Sequence, residues 1–126
     1  MNKEIKEKWI AALTSGNYCQ TTDMLKGAGA DDNMFCATGV LADIYAQEKG
    51  LSWTETKISP EEVTYPDCDT VAYLEPSESE KISSALGKTI RKWAQITPQK
   101  EEVVVDLNDS HGFDFNQIAK YIKEEL

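Results

Sequence analysis

The chain has 126 residues, 40% of them hydrophobic, and its 22 acidic and 13 basic side chains give a formal charge of −9. That length suits one compact domain over residues 1–126, which buries roughly two-thirds of the surface of the unfolded chain. The charge repels phosphate backbones and therefore disfavours a nucleic-acid partner. No run of about 18 apolar residues occurs, and the charged start lacks the apolar core of a secretion signal, so we expect a cytoplasmic protein without membrane association.

The cysteine and histidine content argues against metal and disulfide chemistry. The cysteines are Cys19, Cys36 and Cys68, and the histidine is His111. No two cysteines have C-x-x-C spacing and a zinc site requires four ligands, so we expect no metal and no other cofactor. Cys36 is predicted to be a buried, inert thiol, and the carboxylates that flank Cys68 argue against a catalytic thiolate there.

The first predicted element is an amphipathic helix over residues 3–15. Its apolar stripe consists of Ile5, Trp9, Ala12 and Leu13. Asn2 is placed to cap the start of this helix, and Gly16 is placed to end it.

Residues 17–36 are predicted to hold two short strands around a turn-rich connection. The strands are expected at residues 20–25 and 34–36, with the turn at residues 26–32. The Gly27-x-Gly29 pattern lacks a third glycine and is followed by two aspartates, so it is not typical of a phosphate-binding loop.

The longest weakly charged segment predicts the central element, a buried helix over about residues 36–49. Its apolar stripe consists of Cys36, Val40 and Ile44, widened by Ala37 and Leu41. One of the polar residues before it, Asp31, Asp32 or Asn33, is expected to cap its start. Gly50 is expected to close its end, and Gly39 permits another backbone to approach closely.

Residues 51–74 combine strand composition with turn signals. Strands are predicted over residues 53–58 and 71–74, separated by Pro60 and Pro66 and by a turn at residues 66–69. Aromatic side chains in such irregular backbone either cover the edge of the core or line a binding cleft. These aromatic residues are Trp53, Tyr65 and Tyr73.

Residues 77–96 are predicted to be mostly helical. Ser77 and Glu80 have the spacing of a capping box, and this first helix is expected to bury Ile82, Ala85 and Leu86 and to end at Gly87. The apolar spacing of residues 88–96 favours a further helix. The locally basic side chains Lys88, Arg91 and Lys92 form either a solvated face or a site for an anionic ligand or an acidic loop.

The last part of the chain contains two further start signals. Thr97 followed by Pro98 predicts a helix, although the β-branched residues 103–105 leave a strand as an alternative. A turn is predicted at residues 107–112, and Asp114 then caps a last helix. The fold class is therefore predicted to be α+β and predominantly helical, with N- and C-terminal helices packed on the central helix beside a small irregular β element.

Two segments resemble a known family. Phe35-Cys36-Ala37-Thr38-Gly39-Val40-Leu41-Ala42-Asp43 resembles the F-C-x-x-G-V-L-x-D signature of small uncharacterised proteins from tailed phages and prophages. Leu107-Asn108-Asp109, followed by Gly112, Phe115, Ile118 and Ala119, is similar to that family's closing L-N-D…G…F-x-x-I-A segment, and Trp9 lies in a similar opening helix. The resemblance implies a phage accessory protein made inside an infected bacterium, and it carries over no catalytic residues.

The closing segment is also similar to a helix-turn-helix. Residues 98–126 hold three lysines against seven carboxylates. A helix that presents Lys120 and Lys123 among so many carboxylates would bind DNA poorly, so a plain helical hairpin is the other interpretation.

The resulting hypothesis is a phage-encoded accessory binding protein that inhibits a host or defence protein or sequesters a small signalling ligand. The alternatives are a small virion or assembly protein, and a small hydrolase in which His111 acts as a base beside Asp109. The expected partner is a host protein or a small anionic ligand, and a homo-oligomer is left open. A ligand site is predicted to combine Trp53, Tyr73, Arg91, Trp93, Asn108, Asp109 and His111.

Overall fold

The computed structural model describes residues 1–57 and 70–126, and over these ranges the fold is α+β and predominantly helical. The helices are α1 (Lys3–Thr14), α2 (Ala37–Lys49), α3 (Gly87–Ala94), α4 (Pro98–Asp109) and α5 (Phe115–Glu125). The strands are β1 (Cys19–Gln20), β2 (Met34–Phe35), β3 (Thr54–Lys57), β4 (Thr70–Ser77) and β5 (Glu80–Ile82). The predictions made for Pro60, Tyr65, Pro66 and Cys68 lie outside the described residues.

Helix α2 is the buried centre of the fold, as the sequence predicts. Every residue from 37 to 42 is buried, and both α1 and α4 contact this helix. Trp9 of α1 is fully buried, and its indole N–H donates to the carbonyl of Ala37 across 2.9 Å. Gly50 ends α2 in the left-handed conformation, with φ 69°.

Gly39 allows the loop before β2 to cross directly over α2. A Cβ atom at this position would lie 1.7 Å from the carbonyl oxygen of Leu25, so no larger residue fits without moving the loop. The same Leu25 carbonyl accepts a hydrogen bond from the backbone N–H of Cys36 across 3.2 Å. The close backbone approach expected at Gly39 is therefore confirmed.

Helices α1 and α5 pack against each other in antiparallel orientation. Lys3 in the first turn of α1 and Lys123 in the last turn of α5 line the same groove. At the opposite end of the pair, Thr14 of α1 and Phe115 of α5 line another recess. The predicted caps are confirmed, since the side chain of Asn2 accepts from Ile5 N and Asp114 forms a capping box with Gln117.

Two small sheets complete the described fold. Strands β1 and β2 pair in parallel, with Cys19 opposite Met34, and β3, β4 and β5 form an antiparallel sheet in that order. The first predicted strand was too long, because beyond Gln20 the chain turns and returns to pair from the other side, where Lys26 bridges Phe35.

The helix predicted to start at Ser77 is wrong. Ser77 and Glu80 are instead cross-strand partners on either side of a two-residue turn, and Ile82 pairs with Leu74. A capping box and a two-residue hairpin both bring residues i and i+3 together, so the same spacing fits either structure. Gly87 begins α3 instead of ending a helix, and Ala85 is exposed.

Two further local predictions need correction, and one open alternative is decided. The cap of α2 is Cys36, because β2 separates the predicted Asp31, Asp32 and Asn33 from the start of the helix. The helix predicted from Thr97 and Pro98 is confirmed, and α4 runs through residues 103–105, so the alternative of a strand there does not hold. The turn was predicted to begin three residues too early, because residues 107–109 still belong to α4.

Candidate functional site

The two segments that carry the family resemblance meet at the start of α2. The side-chain oxygen of Asn108, at the end of α4, accepts a hydrogen bond from the backbone N–H of Ala37 across 3.1 Å. That N–H is one of the donors at a helix start that has no partner within the helix. Asn108 therefore supplies a cap from a distant part of the chain.

Asn108 is buried and its polar atoms all have partners inside the protein. Its oxygen also accepts from Gln20 Nε2 across 2.9 Å, and its Nδ2 donates to the carbonyl of Thr21 and to Asp109 Oδ1 at 2.9 and 2.7 Å. Asp109 Oδ1 in turn accepts from the backbone N–H of Asp23 across 3.2 Å. We call Asn108, Asp109 and Gln20 the asparagine clamp; it ties α4 to α2 and to the loop after β1.

Cys36 completes the cap of α2. Its sulfur accepts from the backbone N–H of Gly39 across 3.3 Å and lies 3.3 Å from the hydroxyl of Thr38. Burial raises the pKa of the Cys36 thiol, and the hydrogen bonds from Thr38 and Gly39 only partly offset that effect. The neutral thiol is thus the resting form, in agreement with the inert core thiol predicted from sequence.

Asp43 collects donors from three directions on the next turns of α2. Its carboxylate accepts from Tyr18 Oη at 2.7 Å, from Trp53 Nε1 at 3.0 Å and from Gln47 Nε2 at 2.8 Å. Burial raises the pKa of Tyr18, and the hydrogen bond to the Asp43 carboxylate raises it further. The phenol therefore stays a donor to Asp43 at neutral pH.

Phe35 joins the two aromatic donors of Asp43 into one cluster. Its ring lies edge-to-face with Tyr18, with centroids 5.0 Å apart, and edge-to-face with Trp53 at 6.2 Å. The motif residues thus hold Tyr18 and Trp53 on α2 in two ways. Phe35 contacts their rings, and Asp43 accepts their hydrogen bonds. Trp53 covers the edge of the core, which was one of the two roles left open for it.

Arg91, predicted as an anion ligand, is held by a buried carboxylate. Its Nη1 lies 3.2 Å from Glu101 Oε1, while Glu101 Oε2 accepts from the backbone N–H of Leu86 across 2.8 Å. Glu101 is buried in the first turn of α4, so its ion pair holds the last turn of α3 and its hydrogen bond to Leu86 holds the start of α3. Lys88 and Lys92 on the same helix are exposed.

The residues of the predicted ligand site contact different parts of the described structure. Trp93 packs edge-to-face on Tyr45 at 5.1 Å, and the ring of Tyr73 lies 4.0 Å from Lys81 Nζ. Since residues 43 and 45 project about 200° apart on a helix, Trp53 and Trp93 lie on different sides of α2. Of the seven predicted residues, Asn108 and Asp109 hydrogen-bond to each other.

His111 lies at the surface just beyond α4. Its ring packs edge-to-face against Phe113 at 6.4 Å, and its side chain makes no hydrogen bond to Asp109 within the described residues. Over residues 1–57 and 70–126, no group of three or more histidine, cysteine, aspartate or glutamate side chains has a geometry that could hold a metal ion.

The sequence interpretation missed an outward-facing groove between α1 and α5. Its volume is about 390 Å³, and it is lined by Lys3, Lys6, Glu7, Ile10, Ala11 and Lys123. We call it the lysine groove. The signal in the sequence was a run of α1 side chains at helical spacing, but which helix lies beside α1 is a tertiary fact that periodicity does not supply.

The geometry defines a predominantly helical α+β protein whose motif residues hold its own core together. Within the described residues, no helix combines the length and apolar character that a bilayer crossing requires. The chain belongs to the family described as "Domain of unknown function (DUF8296)", whose model matches residues 1–126. Comparison with curated proteins and with solved structures gives no match.

Proposed function

We propose that this chain is a non-catalytic binding protein that acts in the cytoplasm of a phage-infected bacterium, on a host protein or on a small signalling ligand. The observation that supports binding over catalysis is the internal use of three polar or nucleophilic groups in the two resembling segments. The amide of Asn108, the Asp109 carboxylate and the Cys36 thiol all make hydrogen bonds within the protein. The lysine groove, by contrast, faces outward.

The phage setting is supported by the two resembling segments, residues 35–43 and 107–119. The two segments are joined by the hydrogen bond from the backbone N–H of Ala37 to the side-chain oxygen of Asn108, so they act as one structural unit. That unit gives the two segments a shared structural role, so a partner would contact other, exposed residues. The phage origin itself comes from resemblance alone.

A hydrolase built on His111 and Asp109 has less support. A general base needs to be oriented by a hydrogen bond and to lie within reach of the proton it removes. Asp109 Oδ1 instead accepts from Asn108 and from the backbone of Asp23, and His111 rests on Phe113. The carboxylate therefore serves the asparagine clamp.

The test is a ligand and partner screen on the intact chain. Nucleotides, cyclic dinucleotides and purified bacterial proteins would be titrated while the melting temperature is followed. A true ligand should stabilise the folded state by about 2.7 kcal/mol at 100 times its dissociation constant. His111→Ala should retain the stabilisation, whereas turnover of any compound that is lost in His111→Ala would overturn the proposal in favour of an enzyme. Recovery of the chain as a stoichiometric component of purified phage particles would overturn it in favour of an assembly role.

A further inference from the structure

We infer that the lysine groove is the docking site for an acidic amphipathic helix of a partner protein. This inference rests on the proposed binding function and names the place and the chemistry of the partner. Lys3, Lys6, Ile10 and Ala11 line the groove from α1, and Lys123 lines it from α5.

The length of the groove fits two turns of a helix. From Lys3 to Ile10 the axial rise along α1 is about 10 Å, since each helical residue advances about 1.5 Å. A partner helix that lies along α1 in this groove would place its side chains at i, i+3 or i+4, and i+7 against Ile10, Ala11 and the lysine stems. The half-buried side chain of Ile10 and the exposed Ala11 leave room for such apolar anchors.

The lysines of the groove are free to pair with an incoming carboxylate. Within residues 1–57 and 70–126, no acidic side chain lies within 4.0 Å of the ammonium groups of Lys3, Lys6 or Lys123. Lys8, on the same helix, is in contrast engaged by Glu48 at 2.6 Å. Glu7 is the acidic residue in the lining, so the groove is locally basic in a chain of formal charge −9.

The range of electrostatic forces favours a short acidic helix over an extended polyanion. At physiological salt, charges separated by more than about 8 Å are largely screened. A helix segment about 10 Å long meets mainly the groove lysines, whereas a nucleic acid or an anionic membrane extends over the acidic remainder of the surface.

The experiment uses a fluorescent synthetic peptide of about 14 residues, or about four helical turns. It carries leucine at i, i+4 and i+7 with flanking glutamates, and a second peptide replaces each glutamate with lysine. Binding to the full chain would be followed by fluorescence anisotropy. Backbone amide shifts would locate the site. We expect the glutamate peptide to bind saturably and the lysine peptide not to bind. Added salt should weaken this binding, and the largest amide shifts should fall in the first half of α1 and the last turn of α5.

Two matched triple variants separate the groove from the overall charge. K3E/K6E/K123E reverses the groove lysines, and K88E/K92E/K100E makes the same change in net charge on α3 and α4. We expect the first to weaken binding at least about tenfold and the second by less than about twofold. Ala11→Gln places a larger uncharged side chain in the groove and should also weaken binding of the peptide. Thermal unfolding of each variant checks that it is folded.

Several results would overturn the inference. These are no saturable peptide binding, equal loss in both triple variants, shifts centred elsewhere, or stronger binding of anionic vesicles or single-stranded DNA than of the peptide. Concentration-dependent self-association that K3E/K6E/K123E abolishes would assign the groove to a second copy of the chain. If the peptide fails while a ligand stabilises the chain through another surface, the proposed binding function stands without this docking site.

Discussion

The side-chain oxygen of Asn108 lies 3.1 Å from the backbone nitrogen of Ala37, a residue 71 positions earlier in the chain. This contact lets the end of α4 cap the start of α2, which is the most deeply buried helix of the described fold. Because Gln20 and the carbonyl of Thr21 share the same amide, one side chain holds three segments together. Stability should therefore depend strongly on it.

Replacing Asn108 with alanine should lower the free energy of unfolding by about 3 kcal/mol, because it leaves buried donors and acceptors unpaired. Urea unfolding measures the change. Asn116→Ala on the exposed face of α5 is the matched control and should alter stability by less than about 0.5 kcal/mol. Equal effects of the two substitutions would contradict the structural role of the clamp.

Gly39→Ala tests the close approach of the Leu25 loop to α2. In an ordinary helix this change stabilises by about 1 kcal/mol. Here the new Cβ would lie 1.7 Å from the carbonyl oxygen of Leu25, so we expect destabilisation of about 3 kcal/mol or more. Gly16→Ala, at φ 80° with nothing within 4 Å, should cost only about 1 kcal/mol. A Gly39→Ala protein as stable as the wild type would show that the loop does not cross there.

Glu101→Ala should destabilise the fold by about 2–3 kcal/mol, because Arg91 and the backbone N–H of Leu86 both lose their partner in a buried position. The adjacent, exposed Glu102→Ala is the control, with an expected change below about 0.5 kcal/mol. Glu101→Gln keeps an acceptor for the backbone N–H of Leu86, so its loss of stability should lie between those of the other two variants. Chemical denaturation of the three variants gives the comparison, and an inverted order would refute the buried pair.

Tyr18 should make stability depend on alkaline pH. Its pKa is raised in the folded state by burial and by the Asp43 carboxylate, so folding favours the neutral phenol. The contribution is fully present below the unfolded pKa of about 10 and is lost as pH rises above it. Urea unfolding between about pH 8 and 11 should show a steeper loss for the wild type than for Tyr18→Phe.

Tyr121→Phe serves as the control for the alkaline series. This tyrosine is half-buried on α5 and has no carboxylate hydrogen-bond partner within the described residues. A change of slope that is seen in Tyr18→Phe and not in Tyr121→Phe would assign the effect to the contact between Tyr18 and Asp43. If Tyr18→Phe loses stability with rising pH as steeply as the wild type does, Tyr18 is not the source of that loss.

The helices were largely predictable because their signals are local. Asn2, Thr97 and Asp114 each cap the helix that follows them, and apolar spacing places α1 and α2 within one residue of their observed bounds. The buried state of residues 37–42 also follows from composition, because this segment contains few charges. Each of these signals needs only a few neighbouring residues.

The hairpin and the site depend on partners distant in sequence, and there local reasoning failed. The spacing of Ser77 and Glu80 fits a capping box and a two-residue turn equally well, and the structure has the turn, in which β4 pairs with β5. Arg91 was predicted as an anion ligand because no local sequence pattern indicates that Glu101, on the next helix, is its partner. The lysine groove went unnoticed because Lys3 and Lys123 lie at opposite ends of the sequence.

The antiparallel pairing of α1 with α5 brings the first and last helical turns side by side. A short glycine-rich linker would therefore suffice to join them, and the chain can be reopened at the exposed hairpin turn formed by Glu78 and Ser79. Such a circular permutant should keep the same core, and its new ends would lie at the hairpin turn, away in sequence from the lysines of the groove.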